Sequence, residues 1–170
     1  MRGPLFPSKQ WPYLRAMPKI SAGILLYRRR GNTLEVFLVH PGGPFWAKRD
    51  EGAWSIPKGE AEAGEDLLAR AKTEFQEETG FAPPRELRAL AAVKQAGGKL
   101  VHAFAGEGEC DAGAIKSNTF ELEWPPRSGK RRRFPEVDRA QWFDLASARR
   151  KINAGQAPLL DALERMLAGC

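Results

Sequence analysis

Glu74, Glu77 and Glu78 stand at i, i+3 and i+4 within the stretch AKTEFQEETGF. At about 100° of rotation per residue, this spacing puts three carboxylates on one face of a helix. Like charges so placed repel, and the helix gains nothing from the arrangement itself. A positive charge is therefore expected over that face. Mg²⁺ or Mn²⁺ suits it, because hard cations take oxygen ligands and keep waters and substrate phosphates in their shell. Such an ion would neutralise phosphate charge, orient a leaving group and acidify a bound water. The nearby loop at Lys58-Gly59 offers a backbone carbonyl as a further oxygen donor. On spacing alone, a solvated glutamate-rich face is the competing reading.

The helix that must carry these carboxylates is expected over 65–79. Glu65 and Asp66 suit its first turn and Gly80 its C-terminal stop, with Pro83 and Pro84 beyond. Leu68, Ala71 and Phe75 form an apolar stripe beside the acidic face. Two strand patterns precede it, 20–28 and 34–41, followed by a Gly/Pro-rich loop at 42–52 and a short extended piece at 53–57. Further strands are expected at 87–95, 99–107, 119–124 and 139–145, and helices at 145–152 and 158–167. Strands around one central helix, closed by a helical tail, predict an α/β fold: a mixed sheet with helices on both faces. Residues 1–18 carry four prolines and no periodicity. They are expected as an extension outside the core, leaving 19–170 as the domain, with Met17 as an alternative start.

The 170 residues suit a single domain, and 42% apolar with 28% charged residues is an ordinary globular balance. No apolar run approaches the ~20 residues that cross a bilayer, and no secretory h-region opens the chain. No membrane partner is expected. The two cysteines, Cys110 and the final Cys170, make a poor disulfide framework, which points to a reducing cytoplasm. The net charge of +6 favours anionic partners. Arg28–Arg30 and Lys130–Arg133 are basic clusters, read first as solvated loops and otherwise as phosphate contacts. No motif sets an oligomeric state.

The wider pattern resembles the signature of the Nudix hydrolase family, G-x5-E-x7-R-E-U-x-E-E-x-G-U, with U a bulky apolar residue. Here it reads Gly59, Glu65, Thr73, Glu74, Phe75, Glu77, Glu78, Gly80, Phe81, matching eight of nine positions. Six of the matches demand Gly or Glu, so a chance match at a given start is on the order of 10⁻⁷. The resemblance covers residues 19–168 and implies an α/β/α sandwich around a mixed sheet. It implies a Mg²⁺- or Mn²⁺-dependent hydrolase of a diphosphate linked to another moiety. Glu74, Glu77 and Glu78 become metal ligands, with the Lys58 carbonyl as a backbone ligand. Gly59 permits a tight loop, and Glu65 ties that loop to the helix. Thr73 departs from the family's structural arginine, and Arg70, one turn earlier, is placed to pair with Glu74 instead.

Some family members activate water with a signature glutamate, others with one on a later loop before a strand tryptophan. Glu78 and Glu136 (six residues before Trp142) are the matching candidates for the base, with Glu77 a further catalytic carboxylate. Glu121 and Glu123 are weaker candidates. The lead-in WSIPKG resembles that of Nudix enzymes acting on dinucleoside polyphosphates and diphosphoinositol polyphosphates. Lys58, Lys48, Arg49 and a charged mobile loop containing Arg131, Arg132 and Arg133 are expected to meet substrate phosphates. Phe45, Trp46 and Trp124 offer ring faces to a base, or are packed core. His40 and His102 sit in strand patterns and are expected to be structural. The expected substrate is a nucleotide, with a dinucleoside polyphosphate favoured. Oxidised nucleoside triphosphates and RNA 5′ ends are the alternatives. A rival of another class is a catalytically weak module binding nucleotide or, less favoured, nucleic acid.

Overall fold

The computed structural model describes residues 18–169. The expected extension over residues 1–17, the alternative start at Met17 and the terminal Cys170 lie outside them. β1 (Ile20–Arg30) is the centre of the fold. Its sequence ISAGILLYRRR is buried from Ser21 to Arg28, because helices cover both of its faces. β1 pairs antiparallel with β2 (Thr33–Pro41) through a tight turn, and parallel with β6 (Leu100–Glu107). β9 (Val137–Asp144) adds antiparallel to β2. β3 (Lys58–Ala61) pairs with the first half of β1, and β4 (Arg88–Ala89) and β5 (Val93–Lys94) pair with β6. The result is one mixed seven-stranded sheet.

Side chains on successive strand positions point to opposite faces, and β1 sorts its residues accordingly. Ala22, Ile24 and Leu26 join Phe37 and Val39 beneath α1 (Leu67–Thr79), which contributes Ala71 and Phe75. Leu25 and Tyr27 join Val36 and Leu38 on the other face. There α2 (Leu145–Lys151) brings Ala148, and α3 (Ala157–Ala168) brings Leu159, Leu160 and Leu163. This is an α/β/α sandwich around a mixed sheet. β7 (Thr119–Glu123) and β8 (Arg131–Pro135) form a separate antiparallel hairpin between β6 and β9.

Six expectations need correction. α1 begins at Leu67, not at 65, because the Asp66 carboxylate caps it by accepting from the backbone N–H groups of Leu68 and Ala69. The apolar stripe therefore starts at Leu67, which packs on the cluster around Phe75, and not at Leu68. The 87–95 strand is two short pieces, β4 and β5, and β3 lies where the sequence reads as loop. Arg131–Arg133 sit in β8, not in a mobile loop, and Arg28 is an interior β1 residue. The Arg28 guanidinium pairs with Glu35 and Glu109 at 2.9 Å each and lies 4.0 Å from the Trp142 ring centroid.

Burial predicts the order of damage. Phe75→Ala should cost about 3–5 kcal/mol in a urea unfolding series. Leu68→Ala should cost less than about 1 kcal/mol. An equal loss at the two positions would contradict the packing described here.

Candidate active site

The site forms where the β3 edge meets α1. The Glu78 carboxylate accepts a hydrogen bond from the Lys58 backbone N–H at 3.1 Å, fastening helix to strand. Gly59 sits so close to α1 that a Cβ there would fall 2.0 Å from the Glu74 carboxyl carbon. Only glycine leaves room for that carboxylate. Gly80 closes α1 in the left-handed conformation (φ 79°), and its N–H donates to the Gln76 carbonyl.

Arg70 organises the other end of the acidic face. Its guanidinium donates to Glu65 at 2.7 Å and to Glu74 at 3.1 Å. Glu65 also accepts from the Glu62 backbone N–H at 2.9 Å, so one arginine joins the loop before α1 to its carboxylates. Thr73 is exposed and takes no part.

The remaining negative charge is poorly neutralised. Burial pushes the Glu78 carboxyl up to about 8, with Glu74 and Glu136 adding like-charge repulsion against the Lys58 contacts. Burial likewise raises Glu74, reinforced by Glu77 and Glu136 and opposed by Arg70. Glu136 rises through burial and the nearby Glu77. Burial lowers the Lys58 ammonium, partly offset by Glu78. Carboxylates that raise one another in this way would be relieved by a cation. Their donors are all oxygen, which suits Mg²⁺ or Mn²⁺. Among the described residues no three acidic, cysteine or histidine side chains enclose one ion position. The protein thus offers part of a shell, and a hard cation completes its shell with water and phosphate oxygens.

A cavity of about 250 Å³ opens beside these groups. Lys58, Glu78 and Glu136 line it together with Trp46. Three amides that the sequence reading did not single out, Gln95, Asn153 and Gln156, line it too. Asn153 and Gln156 come from one short turn before α3, whereas Gln95 is remote in sequence, between β5 and β6. Glu136 reaches the cavity because its backbone is pinned on both sides: its N–H donates to Asn118 and its carbonyl accepts from Gly42.

The other expected residues are more scattered. Phe45 is 62% exposed and Trp46 36%. Phe45 meets Trp124 edge-on at 5.4 Å, and the Arg49 guanidinium lies 5.3 Å from the Trp46 ring centroid. Lys48 is exposed. Arg131 and Arg133 face Glu121 across the hairpin at 3.4 and 3.7 Å, while Arg132 stands opposite Leu122. Glu121 is thus engaged with these arginines, and Glu123 accepts from the Gly129 N–H. His40 is fully buried, its ring nitrogens 2.8 Å from an Asp138 carboxylate oxygen and 2.6 Å from the Arg49 carbonyl. His102 is half-buried in β6. Cys110 is a free thiol, raised to about 11 by burial.

The NUDIX domain family model matches residues 17–163. Among solved structures, a C. elegans Ap4A hydrolase binary complex superposes with a TM-score of 0.63 at 22% identity, covering 89% of this chain and 99% of that one. The NUDIX domain of Shewanella oneidensis NrtR, complexed with ADP ribose, gives 0.64 at 15% identity, covering 96% and 94%. A mutT/nudix family protein from Listeria innocua gives 0.59 at 16%, covering 90% and 96%. No curated protein sequence gives a match. At these identities the structural likeness establishes the fold alone.

The sign of the Glu78 shift sets a stability test. An unfolded glutamate titrates near 4.3 and the folded Glu78 near 8, so the folded state holds an extra proton between them. That contribution is complete below the lower value and is lost as pH rises through the upper one. Without divalent cation, Glu78→Gln should match the parent below about pH 4 and exceed it by about pH 9. The difference should reach on the order of a few kcal/mol. Thermal melts in chelator across that range decide it; a constant difference would contradict the buried, charge-poor setting.

Proposed function

The chain belongs to the Nudix family, whose domain hydrolyses phosphoanhydride bonds, and from that premise we propose that it is a metal-dependent nucleotide pyrophosphohydrolase with a dinucleoside polyphosphate as its favoured substrate. The observation that carries the proposal is the cavity that brings Glu78 and Glu136 together with Lys58 and an exposed tryptophan.

Glu74, Glu77 and Glu78 would hold Mg²⁺ or Mn²⁺, with the Lys58 carbonyl as a backbone donor. When bound, that ion supplies charge neutralisation at the phosphates and acidity to a coordinated water. The chain's own residues do the rest. Lys58 places a positive charge at the cavity, where it counters substrate phosphate. Glu136 is proposed as the general base. It lines the cavity, belongs to a different element from the signature carboxylates, and has its position fixed through Asn118 and Gly42. As the oxygen of water bonds to phosphorus, Glu136 takes the proton, and the bridging P–O bond breaks to release a phosphate-terminated product. Glu78 serves as ligand and as the clasp on the Lys58 N–H, with Glu77 beside it on the same face.

Trp46 is the proposed stacking ring, with Phe45 and Trp124 as an edge-on pair beyond it. Lys48 and Arg49 follow Trp46 along the same loop and would extend the positive surface for a longer polyphosphate. Of the β8 arginines, Arg132 is the proposed contact, since Glu121 already faces Arg131 and Arg133. Among the described residues no helix is long and apolar enough to cross a membrane. A cytoplasmic setting is proposed from the cysteine usage.

The test is product release from nucleoside triphosphates, oxidised purine triphosphates, dinucleoside polyphosphates, nucleotide sugars and triphosphate-ended RNA, with Mg²⁺ and with Mn²⁺. Turnover should require the cation, be greatest on dinucleoside polyphosphates, and fall by roughly 10²–10⁴ in Glu136→Gln. Glu77→Gln and Glu78→Gln should abolish it. Arg132→Glu should raise KM with little change in kcat. Binding of nucleotide or nucleic acid without any turnover would overturn the enzyme reading in favour of a binding module.

A further inference from the structure

Two of the amides in the cavity, Gln156 and Gln95, form a hydrogen-bond relay with Ser55 whose polarity is fixed from one end. The Ile56 backbone N–H can only donate, and it donates to the Gln156 Oε1 at 3.1 Å. The Gln156 Nε2 must therefore point the other way, and it donates to the Ser55 Oγ and to the Gln95 Oε1, both at 3.0 Å. Gln156 is fully buried, so the relay cannot flip without leaving a buried group unmatched. Its polarity passes to Gln95, whose oxygen is used and whose Nε2 is left over. Asn153 is oriented independently. Its Oδ1 accepts from the Gly155 N–H at 2.9 Å, leaving Nδ2 over. Among the described residues neither leftover amide nitrogen has a hydrogen-bond partner.

The cavity thus has two side-chain donors of fixed sense at Gln95 and Asn153, while the acceptors of these amides are already engaged. The same cavity is walled by Val39 and Ile56, both buried, and by the Trp46 ring. Apolar walls, an aromatic ring and neutral donors suit a flat heterocycle better than a phosphate. A purine that meets two donors must offer two adjacent acceptors. Guanine and hypoxanthine do so with O6 and N7, whereas adenine offers N7 beside an N6 amino donor. Resting on the reading of this cavity as the substrate pocket, we infer that Gln95 and Asn153 select a 6-oxopurine base over adenine. Neither residue touches the bond that breaks; both determine specificity.

Equilibrium binding of GMP, IMP and AMP tests this without turnover, because none of the three contains a phosphoanhydride. Titrations would follow tryptophan fluorescence in the full chain, with inorganic pyrophosphate as the probe for phosphate alone. GMP and IMP should bind at least about tenfold more tightly than AMP, since a mismatched donor pair leaves polar groups unpaired. Asn153→Asp keeps the acceptor for Gly155 and replaces the donor with a second oxygen. It should cut the GMP-to-AMP preference by about tenfold, and Gln95→Glu should do the same while keeping its acceptor for Gln156. The added charge weakens all three nucleotides alike, so the preference is the readout. Equal affinity for GMP and AMP, or no binding of any of them at millimolar concentration, would overturn the inference. So would variants that weaken pyrophosphate and leave the preference unmoved, which would assign the amides to phosphate. A protein that fails to hydrolyse any substrate but keeps the preference would refute the enzyme reading and leave this one standing.

Discussion

Negative charge held in a half-buried seam between β3 and α1 is the constraint on which the rest of the structure depends. Repulsion among Glu74, Glu77, Glu78 and Glu136 opposes closure of that seam in the absence of a cation. Several local features make sense only as ways of holding it shut. Gly59 withdraws its side chain so that Glu74 fits. The Lys58 N–H holds Glu78, and Arg70 clamps Glu65 to Glu74. The large apolar contact of Phe75, beside the charged face of α1, supplies the force that keeps the helix seated. Apolar burial and charge thus lie side by side on the helix.

The exchange of a signature arginine for Thr73 fits the same constraint. A guanidinium does not have to start from a particular position; it has to reach two carboxylates. From Arg70 the reach to Glu74 is one helical turn, and Glu65 lies just before the Asp66 cap. The charge balance at the loop end of the seam survives. The acidic face keeps all its glutamates, and Arg70 engages Glu74 from the loop side.

Much of this was legible in the sequence because it is local. The acidic face, the helix terminator Gly80, the two long hairpin strands and the terminal helices each depend on residues a few positions apart. β3 was not legible, because Lys58-Gly59 carries turn chemistry and is extended only by pairing with β1. β8 was hidden because RRRFP has no apolar alternation, and its partner β7 lies across a proline- and glycine-containing loop. Arg28 looked solvated because its partners Glu109 and Trp142 are remote in sequence. The amide relay had no sequence signal at all: Ser55, Gln95 and Gln156 meet only when α3 packs against the sheet. The acidic face was written in one segment, and the cavity beside it was assembled by the fold.

That division bears on how the net charge of +6 should be understood. An excess of lysine and arginine suggests a phosphate-seeking surface, and part of that charge is engaged within the fold. Arg28 pairs with Glu35 and Glu109, Arg70 with Glu65 and Glu74, Arg149 with Asp161 and Glu164, and Lys151 with Asp50. Arg131 and Arg133 share Glu121. Lys48 and Arg132 lie outside any ion pair among the described residues, one on the loop that carries Trp46 and one on the hairpin. The loop is anchored beneath by the buried His40, which bridges the Arg49 carbonyl and Asp138 of β9, and by the Trp54 Nε1 bond to Asp50. Paired cations thus hold elements of the fold together, while the unpaired ones set the positive sign of the surface potential.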